Sequence, residues 1–177
     1  GTQTITITYS GADINGTAPS TTTNVNVAKK VVTGIAVKTE PTKTEYVEGQ
    51  NLDLAGMKIE ATYNDGTTAE TTSYTTSPAN GASLMTVGTQ TITITYSGTD
   101  INGTVPSTTT SVNVEARVVS SIAITTAPDK GEYIEGQVFD PTGMKITVTY
   151  NDGGTAVIDN DYATKGVTFN PSRALQT

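Results

Sequence analysis

The segment Gly88-Thr89-Gln90-Thr91-Ile92-Thr93-Ile94-Thr95-Tyr96 carries the clearest structural signal in this chain. Apolar and polar residues alternate strictly along it, so Ile92, Ile94 and Tyr96 lie on one face of an extended strand and threonines on the other. The same alternation runs from Gln3 to Tyr9. Both stretches are therefore predicted to be half-buried β-strands whose apolar face joins a core.

This strand belongs to a longer duplication. Gly1 to Val27 copies Gly88 to Val114 and differs only at Ala12/Thr99, Ala18/Val105 and Asn24/Ser111. The same offset of 87 residues (88 minus 1) aligns Glu48-Gly49-Gln50 with Glu135-Gly136-Gln137. A period near 90 residues in a chain of 177 predicts tandem small domains.

The repeat divides the chain into three predicted segments. Residues 1–27 are the terminal strand pair of a preceding repeat, 28–114 are a complete repeat, and 115–177 are a second repeat that lacks its last two strands. Ala174-Leu175-Gln176-Thr177 aligns with Leu84-Met85-Thr86-Val87, so we expect the ends of the chain to abut in repeat register. We expect a copy of residues 1–27, from a neighbour or from the continuing chain, to complete the second repeat.

Residues typical of turns separate the predicted strands of each repeat. Thr21 to Val27 is the expected partner of the first strand, reached through a polar loop that contains Asn15-Gly16. The strand Met57 to Tyr63 is expected to reverse at Asn64-Asp65-Gly66, and the same motif recurs at 151–153. About seven short strands per repeat predict an all-β fold of tandem immunoglobulin-like sandwiches.

Composition removes several classes of function. The chain has no Cys and no His, so it lacks thiolate ligands, cysteine nucleophiles and the commonest general base. A net charge of −7 without basic clusters argues against binding to nucleic acid or anionic membranes. No apolar run is long enough to span a bilayer. We therefore expect no catalytic residue, no cofactor and no metal, and no membrane insertion in this segment.

Three groups of residues were weighed as candidate sites. Calcium was considered for the carboxylates, but we expect those near turns to form local backbone hydrogen bonds. Lys58 and Lys145 could form isopeptide crosslinks only if buried, and the strand phase predicts that they face water. A glycan platform of tyrosines is less expected than core or sheet-edge packing. The residues concerned are Asp13, Asp65, Asp100, Asp152, Asp159, Asp161, Tyr9, Tyr63, Tyr96 and Tyr150.

An ordered set of short motifs carries a family resemblance. The chain resembles bacterial immunoglobulin-like domains of group 3, and it departs from them in the extended loops Ser10–Ser20 and Ser97–Ser107. The resemblance implies tandem arrays in extracellular proteins, often of Gram-positive bacteria, that act as stalks and adhesive modules and share no catalytic residues. Its motifs are Pro41, Tyr46, Glu48-Gly49, Gly56-Met57, Tyr63-Asn64-Asp65-Gly66, Tyr74 and the Gly88 strand, with Pro128, Tyr133, Glu135-Gly136, Gly143-Met144, Tyr150-Asn151-Asp152-Gly153 and Tyr162 in the second repeat.

The leading functional hypothesis is a non-enzymatic structural repeat of an extracellular bacterial fibre or surface stalk. Its partners are copies of itself or neighbouring repeats, joined head to tail covalently or by strand donation. The alternative is an adhesin or carbohydrate-binding accessory module with Ser97–Ser107 as its contact loop, whose host or glycan ligand the sequence leaves open. An enzyme would need a cleft of paired carboxylates, which the strand phases do not assemble.

Overall fold

The described part of the chain folds as β-strands joined by turns and loops. The computed structural model describes residues 1–170 and 175–176, and this part of the chain contains twelve strands and no helix. The all-β prediction is confirmed. The strands are β1 Thr2–Thr8, β2 Ser20–Asn26, β3 Val32–Thr39, β4 Glu45–Val47, β5 Lys58–Tyr63, β6 Thr68–Thr71, β7 Tyr74–Ser77, β8 Gly88–Tyr96, β9 Ser107–Glu115, β10 Val119–Thr126, β11 Lys145–Tyr150 and β12 Thr155–Ile158.

The strands form four sheets. β1 and β2 make an isolated antiparallel pair, and the two three-stranded sheets have the orders β3-β5-β6 and β10-β11-β12. The fourth sheet has the order β4-β9-β8-β7, in which β4 pairs with β9 in parallel and β7 with β8 antiparallel. Seven strands, β3 to β9, lie between residues 28 and 115. Seven strands in one three-stranded and one four-stranded sheet agree with the predicted immunoglobulin-like sandwich.

Packing divides the chain into two compact units. The first comprises residues 1–42, 54–79 and 92–110, and the second comprises 43–53, 80–91 and 111–177. Alternate residues of the strands supply most of the buried side chains, as the period of two requires, and Leu52, Leu84, Met144 and Tyr162 add to them from outside the strands. Those of the first unit are Val32, Ile59, Ala61, Ile92 and Ile94, and those of the second are Tyr46, Leu52, Leu84, Val112, Val114, Met144, Ile146, Val148 and Tyr162.

Both predicted Asn-Asp-Gly reversals are present. The N–H of Gly66 donates to the carbonyl of Tyr63 at 2.9 Å, and the N–H of Gly153 donates to Tyr150 at 3.0 Å. Gly66 has a φ of 79° and Gly153 of 78°, a region that a residue with a Cβ seldom adopts. These turns connect β5 to β6 and β11 to β12 as hairpins.

The segment after residue 114 has fewer strands than predicted. A seven-stranded repeat without its last two strands should have five, but the described residues of 115–177 form only three. The segments equivalent to β4 and β7, at 132–134 and 162–165, are not strands. In the preceding repeat, β4 pairs with β9 and β7 pairs with β8. The described residues after 115 contain no counterpart of the β8–β9 hairpin, so these two segments lack a ladder to join.

Hydrogen bonding near the C-terminus corrects one alignment. The N–H of Gly49 donates to the carbonyl of Leu84, and the N–H of Gly136 donates to the carbonyl of Leu175. Leu84 and Leu175 also donate to the equivalent residues Gln50 and Gln137. Leu175 is therefore the counterpart of Leu84, not of Met85, because backbone pairing rather than side-chain similarity sets the register here. The sequence alignment in this region was wrong by one residue.

Candidate functional site

The β1–β2 hairpin carries an exposed apolar face. Residues directly paired in an antiparallel ladder share a face, and here Gln3 pairs with Val25 and Ile5 with Thr23. On the opposite face, the Thr4 hydroxyl donates to the Asn24 carboxamide oxygen at 2.8 Å. The hairpin thus separates apolar from polar side chains. We call its exposed apolar side chains the donor face, and they are Ile5, Ile7, Val25 and Val27.

The same residues are buried in the other copy of the hairpin. Ile7 is 55% exposed whereas Ile94 is 0% exposed, and Val27 is 48% exposed whereas Val114 is 1% exposed. None of the three sequence differences between the copies falls on the donor face. The contrast in exposure therefore comes from what packs against each hairpin, not from its sequence. Contiguous exposed apolar faces often mark interaction surfaces in proteins.

A second apolar surface lies on the repeat that lacks the hairpin. Ile122 and Ile124 on β10 are 62% and 66% exposed, whereas their counterparts on β3, Ile35 and Val37, are only partly exposed. They line a groove of about 260 Å³. We call this groove the acceptor groove, and its lining residues are Ile122, Ala123, Ile124, Phe139, Met144, Ile146, Val167, Thr168 and Phe169.

Aromatic packing gives the acceptor groove a defined floor. The ring centroids of Phe139 and Phe169 are 5.2 Å apart, and those of Tyr162 and Phe169 are 5.4 Å apart with the rings nearly perpendicular. Met144 and Ile146 are buried beneath this cluster. Edge-on and tilted contacts at these distances are favourable for aromatic rings. The groove is thus a packed surface with apolar side chains left at its rim.

The first residues of each repeat are held against the Asn-Asp-Gly turn of the same repeat. The Asn64 amide donates to the Lys29 carbonyl at 3.0 Å, and its oxygen accepts from the Val31 N–H at 3.1 Å. Lys30 forms an ion pair with Asp65 at 2.9 Å and lies 4.5 Å from the centre of the Tyr63 ring. We call this set of contacts the first clamp. It fixes the direction in which the chain enters β3.

The same arrangement recurs at the next repeat. The Asn151 amide donates to the Ala116 carbonyl, and its oxygen accepts from the Val118 N–H, both at 3.0 Å. Arg117 replaces Lys30, with its Nε 2.7 Å from the Asp152 carboxylate and its guanidinium 3.7 Å from the centre of the Tyr150 ring. We call this the second clamp. The second clamp fixes the chain where it enters β10, as the first clamp does at β3.

The carboxyl groups of both clamps have lowered pKa values. The pKa of Asp65 falls to about 2, first because the Thr67 hydroxyl donates to its carboxylate and then because Lys30 does. The pKa of Asp152 is lowered first by the Arg117 guanidinium. Both carboxylates are exposed, so solvent screens these interactions and each contributes little to stability.

The carboxylates weighed for calcium lie where local bonding was predicted. One oxygen of Asp13 accepts the N–H groups of Asn15 and Thr17, and Asp100 accepts those of Asn102 and Thr104. Within residues 1–170 and 175–176, no three acidic side chains come close enough to share a metal ion. Turn hydrogen bonding accounts for the position of these aspartates.

The candidate lysines and all but one of the candidate tyrosines lie where the sequence predicts. Lys58 and Lys145 are exposed, as the strand phase predicts, and Lys58 forms an ion pair with Glu70 at 3.4 Å. Tyr63, Tyr96 and Tyr150 are half-buried, consistent with sheet-edge packing. Tyr9 is exposed, so its predicted packing is wrong because nothing in the described chain covers the donor face. No helix of the described residues is long and apolar enough to cross a membrane.

Sequence reasoning did not single out the residues of the acceptor groove or the clamp asparagines. The offset of 87 residues gave a usable signal for the groove, because it maps Ile122 and Ile124 onto core-facing positions of β3. For Asn64 and Asn151 the motif was recognised as a turn, but a side chain that reaches back 33 or 35 residues leaves no local pattern.

The strand order and paired sheets define an all-β, immunoglobulin-like class of protein. Residues 39–115 match the family model of the bacterial Ig-like domain (group 3). This segment is therefore a bacterial Ig-like domain of group 3, and the resemblance seen in the sequence is confirmed.

The chain is also similar to a short part of a much longer protein. The chain is 30% identical over 142 residues to Pectate lyase L of Thermoclostridium stercorarium. The alignment covers 79% of this chain but spans only 11% of that protein. The similarity therefore concerns a small part of Pectate lyase L.

Proposed function

We propose that this chain is a non-enzymatic structural repeat of an extracellular bacterial protein, in which Ig-like units joined head to tail form or extend a stalk or filament. The observation that carries the proposal is the contrast between two nearly identical hairpins. One is buried in a seven-stranded repeat, and the other presents its apolar face to solvent. A repeat that receives its last hairpin from a neighbouring unit is incomplete when alone. It becomes complete when such units are joined in an array.

The clamps support a mechanical role. Each one ties the residues entering a repeat to that repeat's own turn through an asparagine and a cation–carboxylate pair. A linker whose backbone groups are already bonded has few conformations left, which favours a stiff connection over a flexible tether. A stalk that holds a head group away from a surface needs such connections.

The family of residues 39–115 supports an extracellular location in a bacterium. The resemblance extends this to the surface or the secreted proteins of a Gram-positive organism. The absence of His and Cys is compatible with a role that depends on packing and not on chemistry.

The similarity to part of Pectate lyase L favours a second candidate function. In this alternative the chain is an adhesin or an accessory module that binds carbohydrate beside a catalytic domain. The loop Ser97–Ser107 is the proposed contact surface, because Ile101 and Val105 are exposed there. Isothermal titration with oligogalacturonate tests this alternative, and loss of binding after Ile101→Asp supports it.

The structural proposal is tested by supplying the missing hairpin. A valine and a copy of residues 1–27 are appended after Thr177, where the valine takes the place of Val87 in the corrected register. Hydrogen exchange is then measured along β10 and β11. We expect slower exchange of the Ile122 and Ile124 amides than in the unmodified chain at the same low concentration.

A matched control carries the same appended segment with aspartate at the two isoleucine positions of its first strand. We expect this segment to leave exchange along β10 unchanged. If both appended segments slowed exchange along β10 equally, the isoleucine side chains would not be what completes the second repeat. The structural proposal would then be wrong.

A further inference from the structure

We propose that Asp100 and Asp13 protect the two extended loops from a spontaneous modification, the deamidation of Asn102 and Asn15 through a cyclic imide. This inference goes beyond the proposed function and does not depend on it. It assigns two modification sites and the side chain that guards each of them.

An asparagine followed by glycine is the pair of residues in which this reaction meets least hindrance. The main-chain nitrogen of the glycine attacks the carboxamide carbon of the asparagine and forms a C–N bond, and its proton leaves with the amide nitrogen as ammonia. Water then opens the five-membered imide to aspartate or isoaspartate, so that a carboxylate replaces the amide. Glycine favours the attack because it has no side chain beside the reacting nitrogen.

The chain contains three Asn-Gly pairs, and all three are exposed to solvent. In each pair the glycine N–H donates to a main-chain carbonyl. A nitrogen whose proton is held in a hydrogen bond is a poorer nucleophile, and the bond also fixes the peptide plane that must rotate before the imide can close. The three bonds run from Gly103 to Asp100 at 3.1 Å, from Gly16 to Asp13 at 3.0 Å and from Gly81 to Leu52 at 2.8 Å.

The Asp100 side chain closes the turn that contains Gly103. One carboxylate oxygen of Asp100 accepts the N–H groups of Asn102 and Thr104, both at 2.8 Å. The Asp100 N–H also donates to the Thr104 carbonyl at 2.7 Å. Aspartate commonly closes turns in this way by bonding to main-chain groups a few residues ahead. Because these bonds hold the residues on both sides of Gly103, the peptide plane cannot rotate until the turn opens.

Asp13 repeats this arrangement in the other loop. Its carboxylate accepts the N–H of Asn15 at 2.7 Å and the N–H of Thr17 at 2.9 Å. The pKa of Asp13 is lowered, first by the Thr17 N–H, which favours the charged form that accepts these bonds. Residues 13–17 and 100–104 have the same sequence, so each loop serves as a control for the other.

The third pair is protected in a different way. The glycine that follows Asn80 donates to Leu52, a buried residue far along the chain, and the Leu52 N–H donates to the Ala82 carbonyl at 2.8 Å. Bonds of this kind are lost only when packed segments separate, whereas a surface turn opens locally at a smaller cost. Asn102 and Asn15 are therefore the conditional sites, and Asn80 is the site that stays protected.

Deamidation of Asn102 would change the exposed tip of its loop. It would add one negative charge beside Ile101, which is 64% exposed, and isoaspartate would add a carbon to the main chain. This loop is the contact surface in the alternative function. Asp100 thus keeps that surface in one chemical form.

Peptide mapping by mass spectrometry of the full chain, incubated at neutral pH, measures the deamidation rate at each site. Asp100→Ala should speed the reaction at Asn102 about tenfold, the effect on local opening of losing a charge-assisted hydrogen bond. Asp100→Asn retains a side-chain oxygen and should restore most of the protection. Asn15 and Asn80 should keep their rates in both variants.

Asp13→Ala is the matched variant in the other loop and should give the reverse pattern, with faster reaction at Asn15 and an unchanged rate at Asn102. The chain in urea gives the rates without structure. There the three sites should react at similar rates, each faster than in the folded chain.

An unchanged rate at Asn102 in Asp100→Ala would overturn the inference, because the carboxylate would then not guard this site. Reaction of Asn102 as fast in the folded chain as in urea would overturn it as well. Neither result bears on hydrogen exchange along β10, so this inference and the structural proposal can fail separately.

Discussion

Two isoleucines with the same sequence neighbours should differ widely in their contribution to stability. Ile94 is 0% exposed and Ile7 is 55% exposed, although each lies in the sequence Gly-Thr-Gln-Thr-Ile-Thr-Ile-Thr-Tyr. Truncation of a buried isoleucine to alanine removes transfer energy and leaves a cavity, at a cost of about 2–5 kcal/mol. We expect Ile94→Ala to fall in this range.

The expected cost of Ile7→Ala is much smaller. Complete burial of an isoleucine side chain contributes about 1.5–3 kcal/mol, and less than half of this one is covered, so truncation should cost about 0.5–1 kcal/mol and leave no cavity. The difference between the two variants is therefore about 1.5–4 kcal/mol. It depends on structure alone, since intrinsic strand preference is the same at both positions.

Urea unfolding at a concentration where the chain is monomeric measures both variants. Comparison of the midpoint and slope gives the free-energy change for the transition of each unit. Thr93→Ala and Thr6→Ala provide matched controls on the polar face of the same strands. Equal losses at Ile94 and Ile7, or a larger loss at Ile7, would refute the reasoning because the two hairpins would then be equally packed.

Three further predictions concern the turns and the clamps. Gly66→Ala should cost about 1 kcal/mol because its φ of 79° disfavours a Cβ, whereas Gly34→Ala, also in open space but without a positive φ, should be nearly neutral in thermal unfolding. Asn64→Ala should speed hydrogen exchange of the Val31 amide by removing its acceptor, and unchanged exchange would argue against the first clamp. Thr67→Val should raise the pKa of Asp65 from about 2 in an NMR titration, because the Thr67 hydroxyl is the largest cause of the lowered value. Since the folded pKa lies below the unfolded value, the stabilisation is present above about pH 4 and is lost as the pH falls towards 2, and the variant should lose less on acidification.

Strand periodicity and turn chemistry predicted most of the fold. The alternation of Ile92 and Ile94 and the Asn-Asp-Gly turns are local signals. The structure contains the strand and the hairpins that they predict. The expected number of strands in residues 115–177 was too high, because a strand also needs a partner. The segments at 132–134 and 162–165 are equivalent to β4 and β7, whose partners are the strands of the β8–β9 hairpin. Local sequence does not record whether that hairpin is available.

The candidate site was only partly predictable for the same reason. The duplication identified the donor residues, including Ile5 and Val25, but not which copy would be exposed. Phe139 and Phe169, which shape the acceptor groove, come together from distant positions without a repeating pattern. Tertiary contacts of this kind are set by the whole packing arrangement and leave little trace in a single sequence.

The most direct test of this account is light scattering on a permuted chain. Residues 28–177 are followed by one valine and then by residues 1–27, so that the hairpin follows the second repeat in the corrected register. The account predicts a monomer at every concentration, with a higher unfolding temperature than the unmodified chain. A permuted chain that associates as the unmodified chain does, or that is no more stable, would contradict completion of the repeat by this hairpin.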